Sequence, residues 1–339
     1  MFKEFASCGK ISINGSHCIR HTFSKTHCRE CEEICPVDAI RFTPFPEVDT
    51  NLCIECGLCY SSCKFSAIEM EKDDKHIIDS LKQEKTIDIG CLKAESSIKI
   101  MCISRLTESL MLSWFLNQKE VVIKRGNCKK CKMKSSLIYF RYNLRKAVIL
   151  SLSLGISPKI KIKKAKSEQI YIPKEKSLSR REIFTGLTKR FKAQQKTTKR
   201  EILLKILRAN KIKEEKPYPE IARIDIDKKC NICGVCEHIC PTDAILIKKT
   251  EGTAEIHFNP ALCVNCKECE KACIREAIHT YAATTKEFKA KPYIAFTAKK
   301  MICENCGKEF YSLTDENICS VCKNKEEGKQ KFLEFLKNI

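Results

Sequence analysis

Residues 230–240 read Cys230-Asn231-Ile232-Cys233-Gly234-Val235-Cys236-Glu237-His238-Ile239-Cys240, with Pro241 next, and the same spacing returns in Cys263, Cys266, Cys269 and Cys273. Three cysteines set two residues apart let one loop wrap three corners of an iron–sulfide cube. The fourth, carried away by Pro241, reaches a neighbouring cube. Thiolate is the soft anionic ligand that such iron prefers over imidazole or carboxylate. Zinc sites pair two CxxC hooks and do not repeat an eight-cysteine pattern, so two adjacent [4Fe–4S] clusters are the reading preferred over zinc or a disulfide scaffold.

The repeat extends past the cysteines, because Thr242-Asp243-Ala244-Ile245 is echoed by Glu276-Ala277-Ile278. Between the halves, Ile245 to Ile247 and Glu255 to Phe258 flank Thr250-Glu251-Gly252, as a β-hairpin would. Over residues 222–282 the sequence resembles the 2[4Fe–4S] ferredoxin family.

Cysteine dominates the inventory: 25 among 339 residues, with only 11 glycines. Residues 1–7 contain no apolar leader, and the longest apolar run, Ala147 to Ile156, is too short for a bilayer. A protein of the reducing cytoplasm is expected, where grouped cysteines signal metal or redox chemistry rather than disulfides. The formal charge is +21. Six four-thiolate sites at about −2 each would leave about +9. The basic residues are unevenly placed, since residues 159–216 hold 20 Lys/Arg against 6 Glu and no Asp.

A second ferredoxin-like unit covers residues 18–70. Cys53, Cys56, Cys59 and Cys63 form a regular run, whereas in the other run Cys28, Cys31 and Cys35-Pro36 occupy the last three positions and Lys25 stands where the first cysteine belongs. A lysine cannot replace a thiolate. Cys18 is the nearest substitute and closes the shorter loop, which costs less entropy than a loop from Cys8. A three-iron cluster and ligation by His17, His21 or His27 are the other readings.

Residues 86–150 change character. Ile87-Asp88-Ile89, Ile98-Lys99-Ile100 and Val121-Val122-Ile123 read as strands. Arg105 to Gln118 reads as an amphipathic helix through Leu106, Leu110, Trp114 and Phe115, and Ser135 to Leu150 as a second helix. This pattern implies a small parallel α/β unit. Cys91, Cys102, Cys128 and Cys131 fall at its strand ends, where loops converge in space. Their alternative is that Cys91 and Cys102 are simply buried. The series Gly90-Cys91-Leu92, Met101 to Leu106, a helix, and Val121 to Cys131 resembles the delta subunit of methyl-viologen-reducing hydrogenases. That resemblance implies a [2Fe–2S] centre and a place between an oxidoreductase and its partner.

Residues 165–220 read as a basic connector with helices at Arg181 to Ala193 and Arg200 to Asn210, each with one apolar face, and Pro217 and Pro219 mark its end. The C-terminal hooks Cys303/Cys306 and Cys319/Cys322 suit a zinc ribbon, a single iron being the alternative, followed by a helix over Lys329 to Ile339. The fold class is therefore α+β: a ferredoxin-like domain at 1–75, a hydrogenase-delta-like α/β domain at 85–164, the connector at 165–220, a ferredoxin domain at 221–283 and a zinc ribbon at 300–339. Six quartets use 24 of the 25 cysteines and leave Cys8 over.

No nucleotide-binding glycine loop, nucleophile elbow or HExxH motif is present. The cofactors expected are four [4Fe–4S] clusters, one [2Fe–2S] cluster and one zinc. An electron relay fits, with no small-molecule substrate, linking a formate dehydrogenase, hydrogenase or heterodisulfide-reductase-like module to an acceptor through an acidic partner surface. The competing class is a nucleic-acid-binding or regulatory iron–sulfur protein. Against it, the aromatics of the connector, Tyr171, Phe184 and Phe191 among them, are too few for a base-stacking platform. Membrane contact would be peripheral at most.

Overall fold

Apolar alternation in the middle of the chain builds a parallel sheet that runs through the first of two units. The computed structural model describes residues 3–5, 7–133, 136–165, 197–313 and 316–337. The chain divides into Met1–Tyr218 and Pro219–Ile339. The helix expected at Arg181 to Ala193 lies outside the described residues.

In chain order the strands of the first unit are β1 (Lys3–Phe5), β2 (Ile11–Ile13), β3 (Ile40–Phe42), β4 (Pro46–Val48), β5 (Ile68–Met70), β6 (Thr86–Cys91), β7 (Ile98–Ile100), β8 (Glu120–Arg125) and β9 (Ile160–Lys164). Five of them form an all-parallel sheet in the order β1-β7-β6-β8-β9. Ile89 stands opposite both Ile98 and Ile123; Ile87, Ile89, Val121 and Ile123, all on one face, are fully buried, while Asp88, Val122 and Lys124 on the other face are only half-buried. The three strands read from the sequence are all present. β1 was not foreseen: three residues carry no periodic signal, yet Phe5 buries itself in the sheet's core. The ferredoxin-like segment between β1 and β6 contributes two short antiparallel pairs, β2 with β5 and β3 with β4.

The helix expected over Arg105 to Gln118 is shorter and is not amphipathic. Ile103–Arg105 form a 3-10 turn. Thr107 then caps a helix over Glu108–Leu116 by accepting from the Leu110 amide at 3.2 Å. Every residue from Glu108 to Phe115 is buried, because helices Asp74–Ser80, Leu137–Ser153 and Lys199–Ala209 all pack on it. Its polar side disappears into buried pairs, notably Glu108 with Lys146 at 3.2 Å.

The second connector helix is present as Lys199–Ala209, with Thr198 and Glu201 forming a capping box. It buries Ile202, Leu203, Leu204 and Leu207 against the helices Asp74–Ser80 and Glu108–Leu116. That part of the expected connector is therefore core of the first unit, since its apolar face finds a partner there.

β10 (Pro217–Ile226) starts in the last two residues of the first unit and continues in the second, which holds β11 (Ile245–Lys249), β12 (Thr253–Phe258), β13 (Ile278–Thr284), β14 (Tyr293–Ile302) and β15 (Glu309–Ser312). The expected hairpin is β11–β12, closed where the Thr250 amide donates to the Thr253 carbonyl at 2.8 Å. β12 also pairs with β14, and β14 with β15, so the C-terminal cysteine hooks hang on the same sheet as the hairpin. Pro217 and Pro219 lie inside β10, which pairs with β13. The terminal helix spans Ser320–Lys337 rather than starting at Lys329; it begins immediately after Cys319, and Cys322 lies in its first turn. Among the described residues no helix is long and apolar enough to cross a membrane.

Candidate cluster and metal sites

The cysteine loops repeat a backbone device. In the three regular runs the second residue after the first cysteine has positive φ: Glu55 (55°), Ile232 (55°) and Asn265 (51°). The fourth does so too: Gly57 (72°), Gly234 (85°) and Lys267 (63°). Three residues beyond the last cysteine of all four runs, Asp38, Ser66, Asp243 and Glu276 have φ between 51° and 58°. Left-handed residues at these steps curl the chain around a concave centre and turn amides inward. Consistent with that, Cys35 Sγ accepts from the Ala39 amide at 3.2 Å, Cys263 Sγ from Asn265 at 3.3 Å and Cys273 Sγ from Ala277 at 3.3 Å. The irregular run differs, for Arg29, between Cys28 and Cys31, has φ −136°.

Four cavities collect the sixteen cysteines of these runs. Cys18, Cys28, Cys31 and Cys63 line one, and Cys35, Cys53, Cys56 and Cys59 another. In the second unit Cys230, Cys233, Cys236 and Cys273 line a cavity of about 250 Å³, while Cys240, Cys263, Cys266 and Cys269 line the fourth. Each set takes three cysteines of one run and one of the other.

Of the substitutes weighed for Lys25, Cys18 is the one brought to the cavity. It precedes the short helix Ile19–Thr22. Cys8 lines neither cavity; it is 1% exposed, its amide donates to Glu55 O and its carbonyl accepts from the Lys72 amide, both at 2.9 Å. His17, His21 and His27 are absent from both linings, and the His21 ring stacks on Phe45 at 4.4 Å.

Cys91 ends β6, Cys102 follows β7, and Cys128 and Cys131 follow β8. They meet around a cavity of about 420 Å³ whose lining also includes Met101, Ile103, Met133 and Leu137. Cys91 Sγ accepts from the Gly126 amide at 3.2 Å, and Cys102 Sγ lies 3.6 Å from Ser136 Oγ. Neighbouring parallel strands β7, β6 and β8 deliver their carboxyl ends side by side, which explains how cysteines so far apart in sequence converge. At the C-terminus the sulfurs of Cys303, Cys306, Cys319 and Cys322 all lie within 4.8 Å of one another. Cys303 Sγ accepts from the Cys319 amide at 3.2 Å, and backbone donors of this kind hold its thiol down at about 6.

Elsewhere burial acts in the other direction. It pushes Cys28 up to about 11, and Cys56 and Cys236 up to about 12. Such thiols keep their protons until a metal displaces them, so cluster uptake releases protons. Four thiols per cavity, with main-chain amides on their sulfurs, form a donor set that suits iron–sulfur clusters.

Sequence reading missed a polar layer beside the N-terminal quartets. Lys199, 5% exposed, donates from Nζ to the Tyr60 carbonyl at 2.7 Å and to Ser61 at 3.1 Å. The hydroxyls of Thr107 and Ser109 donate to the buried Asp74 carboxylate. Arg105 is 1% exposed. A charged residue within the basic stretches gives no sign in the sequence of being buried.

Residues 229–277 match the family model of a 4Fe-4S dicluster domain, and residues 46–69 that of a 4Fe-4S binding domain. An uncharacterized ferredoxin of Methanocaldococcus jannaschii is 33% identical over 82 residues, 24% of this chain and 54% of that one. One component of an ion-translocating oxidoreductase complex from Methanosarcina acetivorans is 46% identical over 44 residues, 13% of this chain and 17% of that protein. A ferredoxin of Alicyclobacillus acidocaldarius is 40% identical over 55 residues, 15% of this chain and 70% of that protein. The chain thus spans about half the length of the first of these relatives and under a fifth of the second.

Proposed function

Because the chain belongs to the ferredoxin family of 4Fe–4S electron carriers, we propose that it is a multi-cluster relay that passes single electrons between an oxidoreductase complex and an acceptor. The observation that carries this reading is that five cavities are each lined by four cysteines. When bound, thiolate-held iron–sulfur clusters take up and give back one electron with little rearrangement. The protein's own part is positional and electrostatic. Residues Cys18, Cys28, Cys31 and Cys63 would hold one [4Fe–4S] cluster and Cys35, Cys53, Cys56 and Cys59 a second. Residues Cys230, Cys233, Cys236 and Cys273 would hold a third, and Cys240, Cys263, Cys266 and Cys269 a fourth.

The quartet Cys91, Cys102, Cys128 and Cys131 would hold a [2Fe–2S] centre, in keeping with its resemblance to the hydrogenase delta subunit. The apolar side chains of Met101 and Met133 pack against the core of the N-terminal ferredoxin-like part. Cys303, Cys306, Cys319 and Cys322 would hold a structural zinc that ties the end of β14 to the terminal helix.

A donor or acceptor of the oxidoreductase kind is favoured by the likeness to the ion-translocating complex component and by the delta-subunit resemblance, with formate dehydrogenase, hydrogenase and heterodisulfide-reductase-like modules the classes to try. The basic stretch 159–216 would steer an acidic partner. Its Lys189, Arg190, Lys192 and Lys196 lie outside the described residues. Anaerobic reductive titration of the full chain tests the relay: uptake of about five electrons, one per iron–sulfur site, is expected, with one zinc retained. Uptake of two or fewer would refute it. Reversal of those four cations to Glu should slow electron exchange with the partner, most at low salt.

A further inference from the structure

Arg105 ends the 3-10 turn that follows Cys102. Its Nη2 donates to the Lys72 carbonyl, but Nε and Nη1 are shut off from solvent and find no acceptor among the described residues. The stem of the side chain lies against Gly57: a Cβ added there would stand 3.0 Å from Nε and Cδ and 3.1 Å from Cγ. Gly57 separates Cys56 from Leu58 and Cys59, and Cys56 and Cys59 line the cavity shared with Cys35 and Cys53. A second cation, Lys199, donates to the carbonyls of Tyr60 and Ser61 in the helix Leu58–Ser62, which Gly57 precedes. Of the nearby buried carboxylates, Glu108 pairs with Lys146 at 3.2 Å; Asp74 accepts the hydroxyls of Thr107 and Ser109 on one oxygen and feels the Arg105 charge without a hydrogen bond to it.

A buried guanidinium with two idle donors is strongly disfavoured unless an anion compensates it. Four thiolates around an iron–sulfur core supply about two negative charges at that place. The second unit provides the internal comparison. Gly234 occupies the same step of its loop with the same left-handed backbone, and a Cβ there would meet nothing within 4 Å.

We infer that Arg105 is the buried counter-charge of the cluster held by Cys35, Cys53, Cys56 and Cys59, and that it raises that cluster's reduction potential. The inference rests on the cluster reading of this quartet. Reduction adds negative charge to the site, so a fixed cation in a medium of low dielectric favours the reduced form more than the oxidised one. Because Arg105 follows Cys102 by three residues, the same turn contributes a ligand to one centre and a charge to another.

The test is an EPR-monitored redox titration of the anaerobically purified full chain, with iron assayed on each sample. In Arg105→Gln one cubane signal should move to lower potential, its reduced-to-oxidised ratio at fixed poise falling about tenfold, equivalent to about 59 mV for a one-electron couple, while the other signals stay in place. Arg105→Lys should keep that signal near its original potential. Unchanged potentials in a fully loaded Arg105→Gln protein would overturn the inference, and so would an equal shift in Arg105→Lys, which would assign the effect to packing. Should Arg105→Gln fail to load, Gly57→Ala and Gly234→Ala replace it, since both strain a left-handed residue but only the first displaces the guanidinium. A downward shift confined to the Gly57→Ala protein supports the inference, and equal shifts in both overturn it. Absence of any cubane signal from the unaltered chain would remove the cluster reading itself.

Discussion

The Ser61 hydroxyl donates to the carbonyl oxygen of Ser104 at 2.6 Å, joining the helix Leu58–Ser62, which carries Cys59, to the turn after Cys102. Ser136 extends the link: its Oγ donates to Ser104 Oγ at 2.9 Å and lies 3.6 Å from Cys102 Sγ. The N-terminal quartets and the sheet-end quartet are therefore fastened through three serines. Replacing Ser61 by Ala would leave a buried carbonyl with one partner fewer, and the first unit should lose about 1–2 kcal/mol of stability in anaerobic denaturant titrations. Iron content should not change.

For the irregular N-terminal run, Cys18→Ser and Cys8→Ser should behave differently. The full chain should carry about sixteen irons in cubanes and about two more in the sheet-end centre. Cys18→Ser should change one cubane signal in the EPR spectrum or convert it to a three-iron signal. Cys8→Ser should leave all signals in place. The reverse pattern would transfer the ligand role to Cys8.

The sheet-end quartet makes a separate commitment. Cys128→Ser or Cys102→Ser should remove about two irons and the visible absorption of a [2Fe–2S] centre while the cubane signals persist. A chain whose iron never exceeds the cubane total, with an additional zinc per molecule, would show the four thiols to be a structural site.

The Glu108–Lys146 pair sets an acid limit on the first unit. Burial opposes ionisation of Glu108, but the ammonium groups of Lys146 and Lys199 outweigh it and hold the carboxyl below its ordinary 4.5. A depressed folded-state value means that the pair's contribution is complete above 4.5 and fades as pH falls through the lower folded value. Asp74 acts oppositely: burial raises its carboxyl above the ordinary 3.8, so its contribution declines as pH rises from 3.8 through that raised folded value. Glu108→Gln leaves Lys146 buried without its counter-ion and should cost about 3–5 kcal/mol at neutral pH. The gap between the two proteins should narrow in acid denaturation curves. A constant gap would show that the pair does not titrate with unfolding.

Much of this arrangement was legible in advance because ligand spacing is a local code. Cys230 to Cys273 and Cys53 to Cys63 announce their loops without reference to the rest of the fold, and the strands at Ile87, Ile98 and Val121 follow from alternation. Other features depend on tertiary placement. Helix Glu108–Leu116 is covered from several sides, so no apolar stripe distinguishes its faces. Glu108, Lys146, Lys199 and Arg105 look like surface charges until their burial is known. Lys199–Ala209 reads as a solvated linker because the partner for its apolar face lies far away in sequence. β1 is too short to register at all.

The pairing of β1 with β7 matters for assembly. Lys3–Phe5 precedes every cysteine of the N-terminal quartets, Ile98–Ile100 follows them all, and the register Lys3↔Ile98 to Phe5↔Ile100 zips the two ends together. Both quartets thus sit on a lariat whose knot belongs to another structure. During synthesis the first strand must wait, unpaired, while the cysteine loops emerge and then the sheet behind them. Closing such a wide loop is slow. Iron delivery therefore has a natural interval in which to act, while the loops are exposed and before the knot is drawn.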